Sequence, residues 1–214
     1  MEEYYRRRAG EYDRIYDERG RPDRQQDLRR LKRWLVPLAR GRTILEVAAG
    51  TGYWTAVVAP AAKRIVATDY NAETLAICEG KQLGAHVECR VADAYALPQL
   101  PHRFDLGMAF LWWSHVPKRR RHDFLAGFAS RLQNGADVLI MDETFVEGFS
   151  TEVFAEEAGD TFQPRRLDNG QPFDVLKNYP SADELEANLG EVLDGVELLT
   201  LKYYWAARGC VRPG

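Results

Sequence analysis

Glu46 stands where a carboxylate needs a reason: inside the apolar run Ile44-Leu45-Glu46-Val47, just ahead of Gly50-Thr51-Gly52. Glycines in such a turn let the backbone approach a ligand closely, and Thr51 can lend an N–H or a hydroxyl at the start of the next helix. A nearby carboxylate repels a pyrophosphate, so the turn asks for a ligand other than a dinucleotide phosphate. Alone, the Gly-x-Gly spacing also suits a tight strand-to-helix turn that binds nothing.

Later apolar runs end in polar residues too. Asp69 closes Arg64-Ile65-Val66-Ala67-Thr68-Asp69 and is placed to accept from a ribose diol; as a helix cap it competes with Asn71. Asp93, in Val91-Ala92-Asp93-Ala94-Tyr95, can bind an adenine amino group while its neighbours offer backbone N–H groups, or it can simply form a turn. Trp112-Trp113-Ser114-His115 follows the next run. A neutral His115 can take a proton from an acceptor hydroxyl or orient it, or it can cap the helix near Lys118. Trp112 or Trp113 can wall a pocket and face a cation with its ring, although aromatics at a strand end are commonly core. Lys118-Arg119-Arg120-Arg121 is not repeated elsewhere as a basic stripe, and reads as a solvated helix end.

Such residues meet only if a scaffold gathers the strand ends. From Arg42 onward, β-rich runs (TILEV, RIVATD, HVECRVAD, FDLGMAFLWW, ADVLIMDETF) alternate with helical patterns near 51–60, 71–81 and 118–132, the signature of a parallel sheet covered on both faces. Ahead of them, Tyr5, Ala9, Tyr12 and Tyr16 predict an aromatic-faced helix from Glu2 to about Glu18, and Asp23 is placed to cap a second helix striped by Leu28, Leu31, Leu35 and Leu38. Residues 146–178 are polar, broken by Gly and Pro, and read as an insertion or lid. Ser181-Ala182-Asp183-Glu184 fits a capping box, and VELLTLKYYW followed by AARGCVR reads as two closing strands.

The length of 214 residues suits one domain, and a formal charge of -3 gives no global attraction to nucleic acid or an anionic membrane. Cys78, Cys89 and Cys210 lack metal-type spacing and suit a reducing compartment. No apolar run approaches a membrane span, and MEEYYRRRAGEYD is unlike a secretory signal, so the expected location is the cytoplasm.

ILEVAAGTG, VATDYN, VADAYALP and FDLGMAFLWWSHVP, in that order and spacing, resemble the cofactor-binding segments of class I S-adenosylmethionine-dependent methyltransferases. The resemblance implies cofactor contacts from Glu46, Gly50, Thr51, Gly52, Asp69, Tyr70, Asp93 and Ala94. It also accounts for Glu46, because the ligand end nearby would carry an ammonium and a sulfonium. Ala48 departs from the commonest pattern, which has a glycine there; an alanine without positive φ is expected to fit. The chain ends, YYRRRAGEYD, RRLDNGQPFDVLKNYPSADEL and CVRPG, are similar to a small-molecule methyltransferase group that includes the phosphonate O-methyltransferase of dehydrophos biosynthesis. This narrower resemblance implies that Tyr5, Arg8 and Tyr12 close over the cofactor and that Arg165 and Lys177 meet an anionic acceptor. Solvated cations in a polar loop are the plainer alternative for that pair.

The expectation is therefore a single α/β domain over 1–214, Rossmann-like and doubly wound. Its seven-stranded, mostly parallel sheet ends in an antiparallel hairpin, with a helical N-terminal lid over 1–40 and a substrate-side insertion over 146–178. The expected activity is methyl transfer from S-adenosylmethionine to a small molecule, with His115 as catalytic residue and Arg165, Lys177 and Trp112 on the substrate side. A phosphonate, phosphate or carboxylate acceptor would need no base; a neutral hydroxyl or amine would bring His115 forward. A non-catalytic cofactor-binding protein and a nicotinamide-dependent oxidoreductase are the rivals, the latter disfavoured because the turn lacks the third glycine of GxGxxG. The oligomeric state is open.

Overall fold

The computed structural model describes residues 2–16, 21–155 and 159–213, except the side chains of residues 2, 11, 12, 14 and 15. In chain order the helices are α1 (Glu2–Arg8), α2 (Pro22–Ala39), α3 (Tyr53–Val58), α4 (Ala72–Gly80), α5 (Arg121–Ala129) and α6 (Ala182–Gly190). The strands are β1 (Thr43–Val47), β2 (Arg64–Asp69), β3 (Val87–Val91), β4 (Phe104–Phe110), β5 (Leu132–Glu143), β6 (Phe154–Ala155), β7 (Thr161–Arg166), β8 (Pro172–Leu176), β9 (Leu193–Thr200) and β10 (Tyr204–Val211).

A seven-stranded sheet in the order β3-β2-β1-β4-β5-β10-β9 forms the centre, parallel from β3 to β5, with β10 antiparallel to both β5 and β9. β1 is apolar on both faces because both faces are covered. Ile44 joins Leu28, Leu31 and Leu35 of α2 and Val58 of α3, while Leu45 joins Phe124 and Phe128 of α5 and Leu185 of α6. β1 lies between β2 and β4, so strand order reverses there and a crevice opens beyond the carboxyl ends of these strands.

Several sequence expectations need correction. The N-terminal helix does not run unbroken from Glu2: α1 ends at Arg8 and a 3-10 helix continues from Ala9 to Tyr16, the change falling beside Gly10, a poor helix interior residue. Glu18 lies outside the described residues. Asp23 does not cap α2, which begins with Pro22 after Arg21. Its carboxylate instead receives the Lys202 ammonium at 2.7 Å and the Tyr203 hydroxyl at 2.6 Å. Those partners sit in the turn of the closing hairpin, which falls before Tyr204, so Tyr204 and Trp205 belong to β10. The Lys118 helix starts as a 3-10 turn over Lys118–Arg120 before α5. The capping box is present in both halves: Glu184 N–H donates to Ser181 Oγ at 3.1 Å and Ser181 N–H to Glu184 Oε2 at 2.9 Å.

The insertion carries a second, three-stranded antiparallel sheet, β6-β7-β8. Pro164 concealed it in the sequence, since proline cannot donate to a ladder. It is tolerated because β6 pairs only with Thr161 and Phe162, leaving Pro164 beside one neighbour, Asp174 of β8.

Candidate active site

The glycine turn sits at the crevice in a left-handed backbone: φ is 57° at Gly50, 75° at Gly52 and 53° at Ala48. The expectation of an alanine without positive φ is thus overturned; Ala48 takes a conformation that costs an L-residue about 1–2 kcal/mol. Its neighbour is held in place, because Ala49 N–H donates to Thr68 O at 2.9 Å and Ala49 O receives Gly52 N–H at 3.0 Å. Gly52 is required by space as well, since a Cβ there would lie 2.2 Å from Cys78 Sγ.

Glu46 is buried in the crevice and accepts the Thr55 hydroxyl at 2.7 Å. Burial pushes its carboxyl up to about 8. Asp69 Oδ2 accepts Gly50 N–H at 2.9 Å, and Oδ1 accepts Asn71 N–H at 2.8 Å and the Thr74 hydroxyl at 3.2 Å. Burial raises the Asp69 pKa, while these donors oppose the rise. Asn71 occupies the N-cap position of α4 without a side-chain bond. Asp93 is exposed and accepts Tyr95 N–H at 2.8 Å, with Ala94 half-buried beside it. Tyr70 is 54% exposed.

Glu46, Gly50, Thr51, Asp69, Tyr70, Asp93 and Ala94 line one cavity of about 660 Å³, whereas Gly52, expected among the cofactor contacts, does not line it and serves the turn instead. Trp112 lines it too, near Tyr95, whose ring lies 3.5 Å beneath the Arg120 guanidinium. Trp113 is fully buried core. Over the turn lies the N-terminal segment: Thr51 Oγ1 hydrogen-bonds Asp13, Asp13 pairs with Lys81 at 2.7 Å, and Tyr16 stacks on Tyr53 at 3.5 Å.

A second, more polar cavity of about 360 Å³ adjoins the first; its lining includes Arg24, Glu143, Arg165, Arg166, Lys177 and Tyr179. Arg8 lines this cavity and not the larger one, donating to the Tyr4 hydroxyl at 2.7 Å. Lys177 is buried against two carboxylates, Asp142 Oδ1 at 3.0 Å and Glu143 Oε2 at 3.1 Å. They hold its pKa up against burial. Glu143 also faces Arg24 at 3.5 Å, and the Lys177 charge lowers its pKa despite burial. Arg165 donates to Gln163 Oε1 at 2.8 Å and to the Tyr5 hydroxyl at 3.2 Å. The structure brings Arg165 and Lys177 to one cavity and leaves Trp112 in the other.

Tyr5, Leu111 and His115 line both cavities. His115 Nδ1 lies 2.5 Å from the Leu176 carbonyl, which can only accept, so Nδ1 carries the proton and Nε2 accepts the Tyr5 hydroxyl at 2.7 Å. Burial, with the Lys177 and Arg165 charges, holds its pKa well below the ordinary histidine value. His115 therefore does not cap the helix near Lys118. The side chain of Tyr12 lies outside the described residues.

Residues 44–135 match the family model described as a methyltransferase domain. Two solved structures of DhpI match the chain over its length: one with SAH, at 27% identity, covers 100% of this chain and 96% of that one with a TM-score of 0.79. The other, with SAM and HEP, is 28% identical and covers 99% of this chain and 95% of that one at the same TM-score of 0.79. The chain carries a methyltransferase domain and resembles class I S-adenosylmethionine-dependent methyltransferases over its length. The PH0226 protein from Pyrococcus horikoshii OT3, at 14% identity and a TM-score of 0.71 over 94% of this chain and 99% of that one, shares the fold. No curated protein matches the sequence.

Parts of this methyltransferase's crevice went unread in its sequence. Asp142 and Glu143, within ADVLIMDETF, close β5 as Asp69 closes β2, so they carry the same strand-end signal. Arg24 and Asp13 gave no such signal, because arginines and aspartates in helical segments are ordinarily surface residues.

Proposed function

We propose that this methyltransferase binds its cofactor in the larger cavity and transfers the methyl to a small anionic acceptor, a phosphonate, phosphate or carboxylate, in the polar one. The observation that carries the reading is the pairing of unlike cavities across one wall. One presents Glu46, Asp69 and Asp93 at strand ends, and the other gathers arginines and Lys177. The likeness to DhpI, whose structure holds SAM and HEP, supports it.

The residues fit the cofactor chemically. A buried carboxyl that is hard to ionise becomes a good partner once a cation arrives, so Glu46 suits the ammonium and sulfonium end. Asp69 keeps acceptor capacity for a ribose hydroxyl, since a carboxylate offers about four lone-pair sites and the fold's donors leave room for another. Tyr70 offers an exposed ring near Asp93 for the adenine. Bound there, S-adenosylmethionine supplies a methyl activated by its sulfonium; an acceptor oxygen lone pair forms the O–CH3 bond as the C–S pair returns to sulfur.

On the acceptor side Arg165 is the leading anchor, because a guanidinium engages two acceptor oxygens at once. Lys177 contributes less net charge than the sequence suggested, since Asp142 and Glu143 already neutralise it. An anionic oxygen needs no base, leaving His115 to orient. For a neutral hydroxyl, His115 Nε2 is the candidate base once the acceptor takes the place of the Tyr5 hydroxyl now bound there, and its acceptor state favours this second reading enough to test it.

The N-terminal segment over 1–40 and the insertion over 146–178 complete the site as its covers, and the chain works as a single domain. The reading is tested by incubating the protein with S-adenosylmethionine and a panel of alkylphosphonates, phosphate monoesters, carboxylates, alcohols and amines while following S-adenosylhomocysteine release. Turnover of an anion, with its KM raised by Arg165→Met and cofactor affinity unchanged, is expected. Turnover confined to neutral alcohols or amines would instead make His115 the catalytic base.

A further inference from the structure

We infer that Leu111 is a positioning residue for methyl transfer, its side chain forming the apolar part of the wall between the cavities. The inference rests on the reading that one cavity takes the cofactor and the other the acceptor. Tyr5, Leu111 and His115 line both, so the reacting groups must meet at this wall. Tyr5 and His115 are bound to one another through their polar atoms, and His115 is fixed further by the Leu176 carbonyl at 2.5 Å. Leu111 alone of the shared residues is aliphatic.

Its backbone is bent to serve this position. Leu111 directly follows β4 and has φ 55°, a left-handed conformation that a leucine seldom takes. In a continuing strand it would point to the face opposite Phe110. Instead both residues pack against the same core cluster, the one containing Trp54 and Met141. The Leu111 N–H donates to Met141 O at 2.7 Å, so β5 holds the turned backbone through a good hydrogen bond. Strain maintained by a neighbouring strand, at a residue facing two cavities, is strain used for placement. A displacement at saturated carbon needs a dry and aligned approach, and a bulky aliphatic wall supplies both where a polar side chain would hold water.

Leu111→Ala, Leu111→Met and Leu111→Gly test this, with S-adenosylhomocysteine binding by calorimetry, thermal midpoints, and kcat and KM on whichever panel anion turns over. Leu111→Ala should lower kcat by roughly tenfold or more, with acceptor KM and S-adenosylhomocysteine affinity within about threefold of wild type. Leu111→Met should keep kcat within about threefold. Leu111→Gly should lose as much activity as Leu111→Ala without melting lower, because glycine adopts positive φ freely. If Leu111→Ala keeps wild-type kcat while Arg165→Met still raises the acceptor KM, this inference fails and the functional reading stands. An equal loss of S-adenosylhomocysteine affinity also overturns it, making Leu111 a cofactor contact. Failure of every anion to turn over with wild type removes the functional reading and this inference together.

Discussion

The Tyr5 hydroxyl, from the first helix, lies 2.7 Å from His115 Nε2 and closes a chain of hydrogen bonds from Arg165 through Tyr5 and His115 to the Leu176 carbonyl. Burial, with the Lys177 and Arg165 charges, keeps His115 neutral by holding its pKa well below the ordinary value. A buried base with a lowered pKa takes up fewer protons than the unfolded chain, so stability falls as pH drops below about 6.5. With an anionic acceptor, kcat should show no limb near that ordinary value, and His115→Gln should cost less than about tenfold in kcat. A pH–rate profile with a clear histidine limb between pH 6 and 7 would contradict this.

Glu46 makes the opposite prediction. Its carboxyl is pushed up to about 8 by burial, so the folded, ligand-free protein holds a proton that the unfolded chain loses near 4.5. Stability is therefore fully present at low pH and declines as pH rises toward 8, by a few kcal/mol in order of magnitude. Binding of the cationic end of S-adenosylmethionine should expel that proton at pH 7. Calorimetry in buffers of different ionisation enthalpy measures the release, and Glu46→Gln should abolish it.

Asp69→Ala should weaken S-adenosylhomocysteine binding by roughly 1–3 kcal/mol. The same carboxylate also accepts Gly50 N–H at 2.9 Å, so some of that loss would come from a loosened glycine turn. Asp69→Asn keeps one acceptor oxygen and separates the contributions. Calorimetry showing unchanged affinity in a folded Asp69→Ala protein would remove the ribose role.

Much of this was legible because periodicity and strand-end chemistry are local. The runs carrying Glu46, Asp69 and Asp93 at or near their ends gave the parallel strands and the cofactor side of the crevice, and Ser181 with Glu184 gave a helix start to the residue. What was not legible depends on residues far apart in sequence. Lys177 meets Asp142 only after the insertion folds back, so the sequence displayed a cation where the fold makes an ion network. The β7–β8 hairpin was hidden by Pro164, whose cost depends on which neighbours a strand has. The positive φ of Ala48 is imposed by hydrogen bonds around the turn and leaves no mark on residue type.

The N-terminal segment should respond to cofactor. Asp13 holds Thr51 and Lys81, and Tyr16 stacks on Tyr53, so its anchors are two residues of the cofactor cavity and the residue that caps the C-terminus of α4. Ligand in that cavity should tighten the cover and exclude water. Hydrogen exchange with and without S-adenosylhomocysteine should show added protection over residues 4–16; equal protection in both states would contradict a lid.

Arg165 and Lys177 should separate under mutation, although the sequence presents them as a matched pair. Lys177 is 2% exposed and lies within 3.1 Å of two carboxylates, one of them, Asp142, fully buried. Removing its charge takes the cation from Asp142 and leaves Glu143 to the more distant Arg24 at 3.5 Å, a loss of about 3–5 kcal/mol when a buried pair is broken. Lys177→Met should therefore lower the thermal midpoint markedly, and any change in acceptor KM would be mixed with that damage. Arg165 donates to the neutral side chains of Gln163 and Tyr5 and lies in the polar cavity, so Arg165→Met should raise acceptor KM with a smaller cost in stability than Lys177→Met. Adding Asp142→Asn to Lys177→Met removes the carboxylate that loses its cation and should recover part of the lost stability. If the double variant is no more stable than Lys177→Met, the buried ion network is not what holds Lys177, and its ammonium returns as a direct acceptor contact.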